Sequence, residues 1–164
     1  MLTLYFTPGA CSLAAHIVLE ESGEAYTPRE VDFANNEQRS EAYLKINPQG
    51  RVPVLGLDSG QPLAENTAIL PYLGKRFGLW PSDPLTEARA LSLIGFFAAS
   101  VHPAHAHVSR PERYAADTAV FPALKARGIL QTYFAGTPPG STLCILRGLA
   151  NPNFLLEIEA IAAV

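Results

Sequence analysis

The sequence predicts an α/β N-terminal domain with a mixed four-stranded sheet, followed by an incomplete all-α C-terminal domain. Short β-type segments and amphipathic helical segments follow one another as β-α-β and then β-β-α over residues 1–78. Two prolines then mark residues 79–86 as a linker, and helical periodicity dominates the residues after it. We therefore expect domains at 1–78 and 87–164, joined by the linker.

The first half of the N-terminal domain is a β-α-β unit. Residues 2–6 form an apolar strand, residues 11–22 form a helix, and Gly23 supplies the left-handed position that commonly ends a helix. The second strand lies within residues 25–33, where Pro28 favours a sheet edge or a strand end. A unit of this size predicts parallel strands with a right-handed crossover.

The second half contains a β-hairpin followed by a helix. A short helix at 40–46 precedes two short strands, in 52–58 and 62–65, that flank a glycine turn. A further helix begins near Glu65 and extends toward Gly78, with Pro71 in its interior. This order of elements is that of a thioredoxin-like fold.

The C-terminal part begins with helical segments and ends in an atypical tail. Residues 86–100 and 111–127 have helical character. Residues 129–164 carry only three of the chain's 27 charged residues and are broken into short apolar pieces. Two explanations stay open: a tail out of frame relative to a longer ancestral gene, or a divergent set of short helices.

Composition limits the classes of partner. The 164 residues are 48% hydrophobic and 16% charged, which is typical of a soluble globular protein, and the net charge of −3 favours neither nucleic acid nor an anionic membrane as a partner. No apolar run is long enough to span a bilayer, and the first residues lack the basic and apolar regions of a signal peptide, so we expect no secretory leader. Two cysteines without a Cys-x-x-Cys motif give no disulfide framework, so we expect a reduced, cytoplasmic protein.

Cys11 is the first residue that indicates chemistry. It follows a Pro-Gly turn and stands at the start of the first helix, where unpaired backbone N–H groups and the helix dipole favour a thiolate. A small buried cysteine that only packs is the alternative, because thiols are often buried.

Three motifs, in this order and spacing, resemble the bacterial beta-class glutathione S-transferases: TPGACSLAAHIVLEE, NPQGRVPVL and LAENTAIL. The resemblance covers about residues 1–128. It implies that the first domain binds glutathione as co-substrate, without a metal, and that a helical second domain supplies the pocket for a small electrophile. It also implies a homodimer.

The resemblance assigns roles to residues of the first two motifs. Cys11 corresponds to the family's active-site cysteine, which lies near the glutathione sulfur, and Ser12 with local N–H groups assists it. The backbone of Val52, before a cis Pro53, pairs with the cysteinyl residue of glutathione; a trans proline opening a strand is the alternative. Arg51 either steers the anionic tripeptide or is a solvated turn residue.

The third motif corresponds to the subsite for the γ-glutamyl end of glutathione. Glu65 receives the α-amino group, and Asn66 offers its side chain and its N–H to the α-carboxylate. Asn66 can also act as a helix N-cap.

A histidine of the second domain completes the implied site. His102 corresponds to a residue that reaches glutathione in this class, although Pro103 follows it where the family often has a basic residue. His102, His105 and His107 do not share one helix face and have no further ligand motif, which argues against a metal site.

The sequence also departs from the family. Beta-class chains are longer and carry a helix-capping motif late in the second domain, which this sequence lacks. Three functions therefore stay open: glutathione transfer or glutathione-linked thiol-disulfide chemistry through Cys11, a non-catalytic glutathione-binding or interaction module, and an inactive remnant.

Overall fold

The structure, a computed structural model, describes residues 1–126, which fall into two compact units, Met1–Leu91 and 92–126. The expected domain limits at 78 and 87 stay a prediction, and the atypical tail at 129–164 lies outside the described residues. The strands and α-helices of the described part are β1 (Leu2–Phe6), α1 (Leu13–Ser22), β2 (Tyr26–Glu30), α2 (Glu41–Ile46), β3 (Val54–Gly56), β4 (Pro62–Ala64), α3 (Asn66–Arg76), α4 (Pro84–Phe96), α5 (His102–Ser109) and α6 (Phe121–Ala126).

The four strands form one mixed sheet in the order β2-β1-β3-β4. Strand β1 pairs in parallel with β2 and antiparallel with β3, and β3 pairs antiparallel with β4. Pro28 lies in β2 at the edge of the sheet, where a missing backbone donor is tolerated. The predicted thioredoxin-like fold with a mixed sheet is confirmed.

Helix α1 begins two residues later than the sequence predicted. Its N-cap is Ser12, so Cys11 lies just before the helix rather than in its first turn. The helix ends at Gly23 as predicted, where φ is 69° and the N–H donates to the Glu20 carbonyl.

The sheet buries apolar side chains on both faces. Strand alternation directs Leu4 and Phe6 to the α1 face, where the Phe6 ring lies 4.9 Å from His16. Tyr5 points to the opposite face and contacts Tyr43 of α2, with 6.0 Å between ring centroids. Val31, Val52 and Val54 share that second core with Tyr43. Because apolar packing holds both faces of the sheet, the loops at the ends of its strands have fixed positions.

The second unit contains a wide helical turn directly before α5. Residues Phe97–Val101 form a π-helix in which the His102 N–H donates to the Phe97 carbonyl, five residues earlier. Pro103 follows in the first turn of α5 and has no N–H to offer. The wider turn accommodates this missing donor within the helical path.

The expected helix over 111–127 is wrong for most of its length. Two 3₁₀ turns, Pro111–Arg113 and Thr118–Val120, precede the short α6. The Asp117 side chain accepts a hydrogen bond from the Ala119 N–H and so starts a new turn inside the segment. Among residues 1–126, no helix combines the length and the apolar character needed to cross a membrane.

Candidate functional site

The Cys11 thiol is half-buried and faces the loop that precedes β3. Its Sγ donates to the Val52 carbonyl oxygen at 3.4 Å, across 41 residues of sequence. The peptide bond between Val52 and Pro53 is cis, as the resemblance predicted. Two of the three sequence motifs therefore meet at this contact.

The third motif reaches the same place through Asn66. Its side-chain Nδ2 donates to the Cys11 carbonyl oxygen at 2.8 Å. Asn66 is the first residue of α3 and Glu65 holds the N-cap position, so the alternative that Asn66 is the N-cap is wrong. The buried Oδ1 of Asn66 has no hydrogen-bond partner within residues 1–126. Asn66 thus ties the cysteine loop to the start of α3.

Glu65 has an unusual backbone conformation. Its φ is 71° and its ψ is 130°, a backbone conformation that residues other than glycine rarely adopt. Such a conformation costs on the order of 1–3 kcal/mol and is found mostly at functional sites. The carboxylate is exposed and has no ion-pair or hydrogen-bond partner in the described part of the chain. The first N–H groups of α3, which lack intrahelical acceptors, lie beside it.

Ser12 is fully buried and its hydroxyl is directed at the backbone. It accepts a hydrogen bond from the Thr7 N–H and donates to the Thr7 carbonyl, both at 3.2 Å. These contacts close the loop that carries Cys11. The expected assistance of Ser12 to a sulfur atom stays a prediction.

The loop before Val52 is held by two residues that the sequence did not single out. The Tyr43 hydroxyl and the Asn47 side-chain amide both donate to the Arg51 carbonyl at 2.8 Å. The two donors are 3% and 4% exposed. The NPQG turn in front of Arg51 was the available signal, because asparagine commonly bonds to nearby backbone. The Arg51 side chain is exposed, and its role toward a ligand stays a prediction.

His102 lies in the second unit, at the exposed start of α5. Its predicted role toward glutathione stays a prediction. Burial lowers the pKa of the nearby His105, and the charges of His102 and Arg110 act in the same direction. No cluster of metal-ligating side chains occurs in the described residues.

Comparisons with known proteins agree on one family. The sequence profile of the glutathione S-transferase N-terminal domain matches residues 1–75. Glutathione S-transferase GstA of Escherichia coli is 34% identical over 116 residues, which cover 68% of this chain and 58% of that protein. The chain thus spans about three fifths of this relative's length.

Solved structures extend the match to the fold. A glutathione transferase homologue from Sulfitobacter with bound glutathione is 43% identical, with a TM-score of 0.72, covering 77% of this chain and 62% of that one. A bacterial beta-class glutathione S-transferase from Sphingomonas chungbukensis is 34% identical, with a TM-score of 0.67, covering 81% and 67%. The resemblance found in the three motifs is thereby confirmed, and the chain belongs to the glutathione S-transferase family.

Proposed function

We propose that this protein binds glutathione in its first unit and transfers the glutathione thiolate to a small electrophile. The observation that carries the proposal is the contact between the Cys11 thiol and the Val52 carbonyl. It brings sulfur chemistry to the backbone segment expected to pair with the cysteinyl residue of glutathione. The glutathione-bound Sulfitobacter relative supports the same ligand.

Two of the three residues of the tripeptide, the cysteinyl and the γ-glutamyl residue, then have a partner. Val52 pairs with the cysteinyl backbone, so the glutathione sulfur lies near Cys11. The exposed Glu65 carboxylate receives the α-ammonium group, and the N–H groups at the start of α3 receive the α-carboxylate. Arg51 contributes long-range attraction to the anionic ligand.

In the conjugation reaction, the glutathione thiolate attacks the electrophilic carbon and a leaving group departs with the electron pair. The thiol of Cys11, turned from the Val52 carbonyl toward the ligand, and the N–H groups before α1 stabilise the thiolate by hydrogen bonding. The pocket for the electrophile, which excludes water from the reaction, is expected from the second domain. His102 of that domain is the residue proposed to contact glutathione.

Thiol-disulfide exchange is a second candidate, favoured because the group at this position is a thiol. The Cys11 thiolate attacks the glutathionyl sulfur of a mixed disulfide, and the partner thiolate leaves and takes up a proton. A second glutathione thiolate then attacks the glutathionyl sulfur that is bonded to Cys11, which yields glutathione disulfide and restores the cysteine.

We further propose a cytoplasmic homodimer with a detoxifying role, without metal, nucleic acid or membrane as partner.

The two charged side chains of the site differ in expected weight. We expect Glu65→Ala to weaken glutathione binding roughly tenfold or more, because it removes a charge-assisted hydrogen bond. Arg51→Ala changes only a solvated charge and is expected to weaken binding less than about threefold. Isothermal titration of both variants with glutathione checks this ranking, and the reverse order contradicts the placement of the γ-glutamyl subsite.

Retention of the purified, folded protein on glutathione-agarose tests the proposed function. Elution by free glutathione is the expected result, followed by conjugation of a chlorodinitrobenzene in solution. A folded protein that is not retained contradicts both candidate reactions. Retention without turnover of either substrate class indicates a non-catalytic glutathione-binding module instead.

A further inference from the structure

A pair of buried donors holds the peptide unit in front of the proposed ligand-binding backbone. The Tyr43 hydroxyl and the Asn47 Nδ2 converge on the Arg51 carbonyl, each at 2.8 Å. Asn47 is itself fixed, because its Oδ1 accepts from the Gln49 N–H at 3.1 Å and its N–H donates to the Tyr43 carbonyl at 2.9 Å. The two donors therefore form one rigid clamp.

The geometry of a trans peptide carries the effect of the clamp to the next residue. The Arg51 carbonyl and the Val52 N–H belong to one planar unit and point in opposite directions. The bond between Arg51 and Val52 is trans, since the only cis bond among the described residues follows Val52. Fixing the carbonyl thus fixes the direction in which the Val52 N–H points.

The clamp is maintained over the working range of pH. Burial raises the pKa of the Tyr43 hydroxyl, with smaller contributions from Tyr5 and Glu37. The phenol therefore stays protonated and remains a donor. Asn47 does not titrate, so neither donor is lost near neutrality.

We propose that Tyr43 and Asn47 are positioning residues that aim the Val52 N–H at the cysteinyl carbonyl of glutathione. The proposal rests on the proposed function, which it deepens by naming residues that touch no ligand. Without the clamp, the peptide unit samples other orientations and glutathione must order it on binding. That cost appears as lower affinity, equal for ligands with the same backbone.

The test compares Tyr43→Phe with the matched control Tyr5→Phe. Both variants remove one hydroxyl from the same cluster of rings, but the Tyr5 hydroxyl makes no hydrogen bond within residues 1–126. The Arg51 carbonyl keeps its Asn47 partner in Tyr43→Phe, so the fold is expected to survive. Asn47→Asp, which retains the acceptor for Gln49, is the second variant.

Titrations use reduced glutathione and its analogue with a methyl group in place of the thiol, well below the unfolding temperature. We expect Tyr43→Phe and Asn47→Asp to weaken both ligands equally, by about three- to tenfold, and Tyr5→Phe to change neither. Unchanged affinity in Tyr43→Phe, or an equal loss in Tyr5→Phe, overturns the positioning role.

A ligand-independent readout separates this proposal from the proposed function. The rate of Cys11 alkylation by iodoacetamide, followed by mass spectrometry of the Cys11 peptide, reports on the orientation of Val52, because the Val52 carbonyl accepts from the thiol and the Val52 N–H belongs to the peptide unit that the clamp holds. We expect a change of at least about threefold in Tyr43→Phe and none in Tyr5→Phe. If the wild-type protein fails to bind glutathione while Tyr43→Phe still differs from Tyr5→Phe in alkylation rate, only the proposed function is contradicted. Equal alkylation rates in the wild type and Tyr43→Phe overturn the clamp.

Discussion

Replacing Cys11 by alanine is expected to lower the rate of glutathione-dependent reduction of a small mixed disulfide by roughly a hundredfold or more. The exchange reaction forms a covalent bond at this sulfur, and Cys11 is the only cysteine among residues 1–126. Conjugation of a chlorodinitrobenzene is expected to fall less than about tenfold, because the glutathione sulfur itself is the nucleophile and Cys11 contributes one hydrogen bond. Steady-state rates for both substrates measure the difference.

Two further variants control this experiment. Cys11→Ser retains a hydrogen-bond donor, so we expect it to conjugate nearly as fast as the wild type while still failing to reduce the disulfide. Cys144→Ala removes the second cysteine of the sequence and should leave both rates unchanged. Equal disulfide reduction by the wild type and Cys11→Ala would remove Cys11 from the exchange mechanism.

Gly50→Ala is expected to lower the free energy of unfolding by about 3 kcal/mol and to reduce glutathione affinity with it. Gly50 closes the NPQG turn with a φ of 62°, and a Cβ there would lie 2.7 Å from the Gln38 carbonyl oxygen. The turn therefore has to shift, and it carries the Arg51 carbonyl that the clamp holds. Urea unfolding gives the stability change, and isothermal titration gives the affinity.

Gly60→Ala separates steric contact from backbone strain. Gly60 has a φ of 82° in the β3–β4 hairpin, but a Cβ there would meet nothing within 4 Å. We expect a loss of about 1 kcal/mol and unchanged glutathione binding. Equal losses of stability in the two variants would show that the contact with Gln38 is unimportant.

The N-terminal fold could be predicted from the sequence because the residues that end its helices and strands give local signals. Gly23 marks the end of α1, Pro28 marks an edge strand, and the glycine turn at 60 marks the hairpin. Each signal depends on the conformational preference of one or two residues. The 111–127 segment lacked such clarity, because the Asp117 cap inside it interrupts an otherwise helical composition.

The site was only partly predictable for a different reason. The motifs identified Cys11, Val52 and Asn66, but the partner of the Asn66 amide is a backbone carbonyl, which has no sequence signature. The positive φ of Glu65 was also invisible, since glutamate gives no indication of that conformation. Tyr43 has the pattern of an apolar helix residue, and only the folded chain shows where its hydroxyl points.

Two of the hydrogen bonds made by Cys11 connect it to distant parts of the chain, and this sets an order of events during folding. They connect it to residues 41 and 55 positions later, so these two contacts cannot form before the segments around Val52 and Asn66 have come together with it. Long closures of this kind follow local structure, because the entropy of the intervening chain must first be overcome. During refolding, a change in the alkylation rate of this thiol would therefore show when the final stage of assembly of the first unit is reached. A chain stopped before residue 66 would lack the contact from Asn66 and would display the cysteine in an incompletely held loop.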